Sequence, residues 1–137
     1  MAVTAPAEYQ PIIEQAAAQS GIPVDTLTRL LHQESGFRPD VLGPVTRSGE
    51  RAVGIAQFMP GTSRELGVDP LDPASAIPGG ARYLAKMRDQ FGGDLTAGLA
   101  AYNWGPGNYQ KWGAAGADPA RMPAETRNYI ASIMGGA

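Results

Sequence analysis

The amino-acid sequence predicts a mainly α-helical protein of about six or seven short helices, with an irregular loop or small β-hairpin after the second helix. Apolar residues recur at the three- and four-residue spacing of amphipathic helices in most segments. The 18 glycines and 12 prolines separate these segments and do not form a low-complexity linker. Only the stretch Val41–Val53 lacks helical periodicity. With 137 residues and no internal repeat, the chain is expected to form one domain over residues 1–137.

Turn-forming residues bound the first two helices. The first is predicted over Glu8–Ser20, because Gly21 follows its last apolar position. The second begins near Pro23 and ends at Gly36. The loop or hairpin then carries turn formers and β-branched residues.

The later helices are predicted from caps and from apolar spacing. Thr62 and Glu65 have the spacing of a capping box, which predicts a short helix over Ser63–Leu66. The uncharged stretch LTAGLAAYN predicts a helix that is buried on nearly all sides. In chain order the others are a helix opened by Asp72 and closed by Gly92 and Gly93, the LTAGLAAYN helix capped by Asp94, a turn with a short helical piece in GPGNYQKWG, and a closing helix over Pro123–Met134.

Glu34 stands in the apolar stripe of the second helix. Three leucines precede it at helical spacing on the same face: Leu27, Leu30 and Leu31. Burial and the negative end of the helix dipole are both expected to raise the pKa of the Glu34 carboxyl, which would keep it protonated as a general acid requires. The alternative is that Glu34 lies at the edge of the stripe and meets solvent or an arginine.

Composition excludes several classes of function. With 11 basic and 13 acidic residues spread along the chain, there is no basic surface pattern for nucleic acid. No apolar run approaches the roughly 20 residues that span a bilayer, so no membrane insertion is expected. There is no cysteine and no HExxH motif, and the single histidine, His32, is expected to be solvated, so neither a metal nor another cofactor is expected.

Four short motifs carry a resemblance to a known family. They are ESG from Glu34, GIAQFMP from Gly54, AYNWG from Ala101 and PAETRNY from Pro123. In order and approximate spacing they resemble the soluble lytic transglycosylase (SLT) family, over about Glu8–Ile133. The resemblance implies a lysozyme-like, mainly helical fold with a cleft that binds the glycan strands of bacterial peptidoglycan.

The resemblance also implies residue roles. Glu34 would be the single catalytic acid and base, and the hydroxyl of Tyr129 would meet its carboxyl. Cleft positions that contact N-acetyl sugars would be Ser35, Gln57, Met59 and Asn103. The chain departs from the family in a longer connection between the first two motifs, and in Trp104, which stands where the family commonly has a small residue.

Several candidates also have a structural interpretation. The Gln57 amide lies in an apolar run, where either a sugar or a backbone carbonyl would satisfy it. Asn103 would serve equally as a helix C-cap. The side chains of Met59, Tyr102 and Trp104 either pack in the core or present a face to a pyranose ring, and all three are kept as candidate substrate-binding residues.

The implied reaction breaks the bond between N-acetylmuramic acid and N-acetylglucosamine and leaves a 1,6-anhydro end. No second catalytic carboxylate stands out, since Asp40 and Glu50 fall in the irregular loop. The alternatives are a goose-type lysozyme, a non-catalytic peptidoglycan-binding module and a helical adaptor protein. A monomer that acts on the cell wall is expected. Because no signal segment is apparent, it would be a bacteriophage lysis enzyme, a virion-associated enzyme or an excised domain.

Overall fold

The computed structural model describes residues 2–135. Within them, the prediction of a mainly helical fold is confirmed. The only β-structure in this range is a pair of isolated antiparallel bridges, Leu42 to Val53 and Val53 to Phe58. The helices are α1 (Gln10–Ser20), α2 (Val24–Ser35), α3 (Pro60–Leu66), α4 (Pro73–Gln90), α5 (Leu95–Trp104), α6 (Pro106–Ala114) and α7 (Ala124–Met134), with a 3₁₀ turn over Pro119–Arg121 before α7.

The chain divides into two compact units, one of residues 3–82 and one of residues 83–135 with Ala2. The boundary falls within α4. The expectation of one domain over residues 1–137 stays a prediction. No helix in the described part of the chain is both long and apolar enough to cross a bilayer.

In the unit of residues 3–82, α1 packs against α2. Both helices end at a glycine in the left-handed conformation, Gly21 with φ 77° and Gly36 with φ 62°, as the sequence predicts. The buried apolar side chains of this unit come from the N-terminal segment, both helices and the loop between them, the chain between α2 and α4, and the first half of α4. They are Ala5, Ile13, Ala16, Ala17, Ile22, Leu27, Leu30, Leu31, Ile55, Ala56, Phe58, Val68, Ala76, Ile77 and Ala81.

The segment after α2 folds back on itself through backbone hydrogen bonds. The N–H of Gly43 donates to the Ala52 carbonyl over 2.9 Å, and the N–H of Gly54 donates to the Val41 carbonyl over 2.8 Å. Gly54 itself has φ 82°, and a Cβ at this position would overlap the Pro70 carbonyl oxygen. A side chain is therefore excluded at Gly54 both by backbone conformation and by lack of space.

In the unit of residues 83–135, α5 packs against α6 and α7. Its residues 97–101 are all buried, which confirms the prediction from LTAGLAAYN. Gly98 allows α5 to approach the backbone of α4 closely, since a Cβ at this position would lie 2.9 Å from the backbone nitrogen of Arg88. Asp94 caps the helix by accepting a hydrogen bond from the Thr96 N–H over 3.0 Å.

Some predicted helix boundaries are wrong. α3 begins at Pro60 after Met59, and no side chain caps it, so Thr62 lies inside the helix and the predicted capping box does not form. α6 is a full helix of 9 residues beginning at Pro106, longer than the short piece predicted. In both cases proline occupies the first turn, where its fixed φ favours helix and its missing N–H costs nothing.

Candidate active site

Glu34 lies in the last turn of α2 and is half-buried. The three leucines of its stripe are 0% exposed, so the predicted face is the core face. Every other acidic residue of the chain is exposed. Glu34 is therefore the one aspartate or glutamate side chain that is not classed as exposed to solvent.

Ser35 connects the end of α2 to the GIAQFMP segment. Its side chain is buried, with the hydroxyl oxygen 2.7 Å from the Ile55 carbonyl oxygen and 3.1 Å from that of Leu31. A hydroxyl has one proton to donate, and the shorter distance favours Ile55. Sugar contact by Ser35 stays a prediction, but its hydroxyl proton is already engaged by the backbone.

Gln57 has two backbone partners. It has φ 53°, in the left-handed region, and its side-chain nitrogen donates to the carbonyls of Gly54 over 2.9 Å and Val41 over 3.1 Å. The sequence left open whether a sugar or a backbone carbonyl satisfies the Gln57 amide; for its nitrogen, the partners are backbone carbonyls. Oε1 accepts no hydrogen bond from residues 2–135, and a Cβ on Gly43 would lie only 2.8 Å from it. A sugar donor would have to use this oxygen.

Met59 precedes α3 in an extended conformation and is half-buried. Its carbonyl accepts a hydrogen bond from the Ser63 N–H over 3.1 Å. The predicted sugar contact of its side chain stays a prediction.

Asn103 lies inside α5 and is oriented by Thr126. The Thr126 hydroxyl donates to Asn103 Oδ1 over 2.9 Å, and Thr126 is 2% exposed. The alternative of a C-cap role is wrong, because Gly105 is the C-cap and donates to the Ala101 carbonyl over 2.9 Å. Asn103 Nδ2 has no hydrogen-bond partner among residues 2–135, so this donor is available to a ligand.

Sequence reasoning did not single out Thr126. The available signal was its position three residues before Tyr129 on one face of α7, where a hydroxyl among buried residues needs a partner. Tyr129 is 4% exposed and shares this buried face with Ile133. The predicted contact between the Tyr129 hydroxyl and the Glu34 carboxyl stays a prediction.

The two aromatic residues of AYNWG are both half-buried. The ring of Tyr102 lies 5.4 Å from that of Tyr83, with the planes inclined at 59°. Trp104 is the last residue of α5. The Tyr102 ring therefore has a packing role against Tyr83, in addition to the sugar contact that is predicted for it.

The structure groups the predicted site residues into two sets. Glu34, Ser35, Gln57 and Met59 belong to the unit of residues 3–82, and the other four belong to the unit of residues 83–135. They are Tyr102, Asn103, Trp104 and Tyr129. Within residues 2–135, no cluster of three histidine, aspartate or glutamate side chains could hold a metal ion.

Two surface cavities lie apart from these residues, both in the unit of residues 3–82. One of about 200 Å³ is formed by the N-terminal segment, α1 and α2. The other, of about 300 Å³, is formed by α1 and the start of α4. Neither contains a predicted site residue.

Known proteins resemble this chain in both sequence and fold. A transglycosylase of Enterobacteria phage PRD1 is 36% identical over 123 residues, covering 89% of this chain and 40% of that protein. Peptidoglycan transglycosylase gp16 of Escherichia phage T7 is 30% identical over 140 residues, covering 94% of this chain and 10% of that protein. The 70-kDa soluble lytic transglycosylase, solved with bulgecin A, matches with a TM-score of 0.79 at 28% identity, covering 96% of this chain and 24% of that one.

This chain spans 10% to 40% of the length of the two phage relatives. The family model of the transglycosylase SLT domain matches residues 11–122. That range contains three of the four sequence motifs completely. The protein therefore belongs to the transglycosylase SLT family and has its lysozyme-like, mainly helical fold.

Proposed function

We propose that this protein is a peptidoglycan lytic transglycosylase with Glu34 as its single catalytic acid and base. It cleaves the β-1,4 bond between N-acetylmuramic acid and N-acetylglucosamine and forms 1,6-anhydro-muramoyl ends. Membership of the SLT family supports the substrate class. The observation that carries the proposal is that Glu34 alone among the acidic residues is not exposed.

In the first step, the protonated Glu34 carboxyl donates its proton to the glycosidic oxygen. The bond between this oxygen and C1 of the muramoyl residue breaks, and the N-acetylglucosamine portion leaves as an alcohol. Positive charge develops at C1 through an oxocarbenium-like state. This step needs the carboxyl of Glu34 to be protonated before the bond breaks.

In the second step, the Glu34 carboxylate removes the proton of the muramoyl C6 hydroxyl. The hydroxyl oxygen then bonds to C1 and closes the anhydro ring. Glu34 regains its proton, and no water is consumed. One carboxyl group thus serves both steps, whereas hydrolysis by a carboxylate pair would need a second acid at a defined separation.

Four side chains are proposed to bind the sugars on either side of the broken bond. Gln57 would accept from a sugar hydroxyl or acetamide N–H through Oε1, and Asn103 would donate through Nδ2, the atoms that the protein leaves available. Met59 and Tyr102 would contribute apolar contact. Tyr129 is proposed to hydrogen-bond the Glu34 carboxyl, and Ser35 is proposed to line the cleft where it contacts the N-acetyl sugars.

Mass spectrometry of muropeptides released from purified sacculi tests the proposal. The expected products carry anhydro ends and are lighter than hydrolysis products by one water. Glu34→Gln should abolish release, because an amide cannot donate the proton, while Glu14→Gln, an exposed residue of α1, should retain full activity. Hydrated ends would assign a goose-type lysozyme activity instead, and binding without release by the parent protein would assign a non-catalytic module.

We also propose that the protein acts on the cell wall as a monomer, without inserting into the membrane. The two phage relatives support delivery by a phage lysis system or a virion. Light scattering of the purified chain tests the oligomeric state, and a dimer mass at working concentration would contradict it.

A further inference from the structure

The two tryptophans of the chain have different surroundings. The Trp112 indole N–H donates to the Asp118 carbonyl over 2.7 Å, and its ring lies 5.3 Å from that of Tyr109. Tyr109 in turn packs edge-on against Phe91 at 4.8 Å. Burial, and then the charge of Asp94, raise the pKa of Tyr109. Because α6 has no fully buried residue, these aromatic contacts contribute to its packing, and Trp112 has a structural role.

Trp104 has no comparable partners. Within residues 2–135 its indole N–H donates no hydrogen bond and its ring contacts no other aromatic ring. Its backbone carbonyl accepts a hydrogen bond from Asn108 Nδ2 over 2.9 Å, which does not involve the ring. Every buried side-chain nitrogen of the described residues has a hydrogen-bond partner. Since the Trp104 indole N–H has none, it must be accessible to solvent. Trp104 is thus a half-buried side chain whose indole N–H and ring have no hydrogen-bond or aromatic partner among residues 2–135.

We propose that Trp104 is a stacking platform for one pyranose ring of the glycan strand. An indole offers a flat apolar face and one N–H donor, which suits a sugar ring with an apolar C–H face and polar edges. The neighbouring residue, Asn103, supports this, because Thr126 occupies its oxygen and leaves its Nδ2 as a donor. The inference rests on the proposed function, since it takes an N-acetyl sugar as the ligand.

The experiment uses the fact that the chain has only two tryptophans. In a Glu34→Gln background, which prevents turnover, Trp112→Phe leaves Trp104 as the only indole reporter, and Trp104→Phe leaves only Trp112. Each protein is titrated with a tetramer of N-acetylglucosamine. We expect a saturable change in fluorescence from the Trp112→Phe protein and none from the Trp104→Phe protein, although both bind.

Calorimetry on the same ligand measures the contribution to affinity. Trp104→Ala should weaken binding about fivefold to tenfold, the scale expected for one aromatic contact, while Trp104→Phe, which keeps a ring, should weaken it less. Circular dichroism checks that Trp104→Ala is folded; if it is not, the fluorescence titration decides alone.

An unchanged signal from Trp104 in a protein that binds the tetramer would overturn the inference, as would unaltered affinity in a folded Trp104→Ala protein or no binding by any variant. None of these results depends on bond cleavage. Failure of the stacking platform is therefore distinguishable from failure of the proposed reaction, which the muropeptide masses report.

Discussion

The side-chain nitrogen of Gln57 donates a hydrogen bond to the backbone carbonyl of Val41, a residue 16 positions earlier, over 3.1 Å. A second bond from the same nitrogen reaches the Gly54 carbonyl. One amide therefore joins the start of the irregular segment to the tight turn at its end. The residue that the family resemblance assigns to sugar binding also holds the backbone around it.

Gln57→Ala should lower the free energy of unfolding by about 2 kcal/mol, because the two hydrogen bonds from its side-chain nitrogen are lost. The left-handed φ of 53° allows a second test. Gln57→Gly loses the same bonds but is relieved of a backbone cost of about 1 kcal/mol, so it should be destabilised less than Gln57→Ala. Urea unfolding measures both, and Gln19→Ala, at an exposed site on α1, is the control. A Gln57→Ala protein as stable as the parent would show that these bonds add nothing net.

Gly54→Ala should be far more damaging than Gly49→Ala. Both glycines have positive φ, 82° and 86°, so alanine costs about 1 kcal/mol at each from the backbone alone. Only at Gly54 does the new Cβ also overlap a backbone atom, the Pro70 carbonyl oxygen, whereas nothing lies within 4 Å at Gly49. Thermal unfolding should show a small shift for Gly49→Ala and a large loss of stability for Gly54→Ala. Equal shifts would contradict the close approach to Pro70.

Thr126→Val should weaken sugar binding by Asn103 although Asn103 itself is unchanged. Valine keeps the shape of the buried side chain but removes the hydroxyl that donates to Asn103 Oδ1. We expect a stability loss of about 1 kcal/mol and weaker binding of the N-acetylglucosamine tetramer, because the amide is no longer held in one orientation. Thr126→Ser keeps the donor and should restore most of the affinity. If valine and serine bound the tetramer equally well, Asn103 would not depend on Thr126.

Local patterns in the sequence were sufficient to predict most of the helices and to select the candidate acid. The stripe that ends at Glu34 follows from helical periodicity, since the spacing of residues on a helix determines which of them share a face. Gly21 and Gly36 end their helices for an equally local reason, the left-handed conformation that a C-cap adopts. Motif order was sufficient to predict the family, because it needs no coordinates.

Only the tertiary structure determined which polar side chains bond to residues distant in the sequence. Nothing in the spacing of Gln57 indicates Val41, and nothing in that of Asn103 indicates Thr126, 23 residues later. These hydrogen bonds depend on the path of the chain between the two residues, which brings together groups that are distant in sequence. The same is true of the two tryptophans in the sequence. Packing makes Trp112 part of an aromatic cluster, whereas the Trp104 indole N–H has no hydrogen-bond partner among residues 2–135.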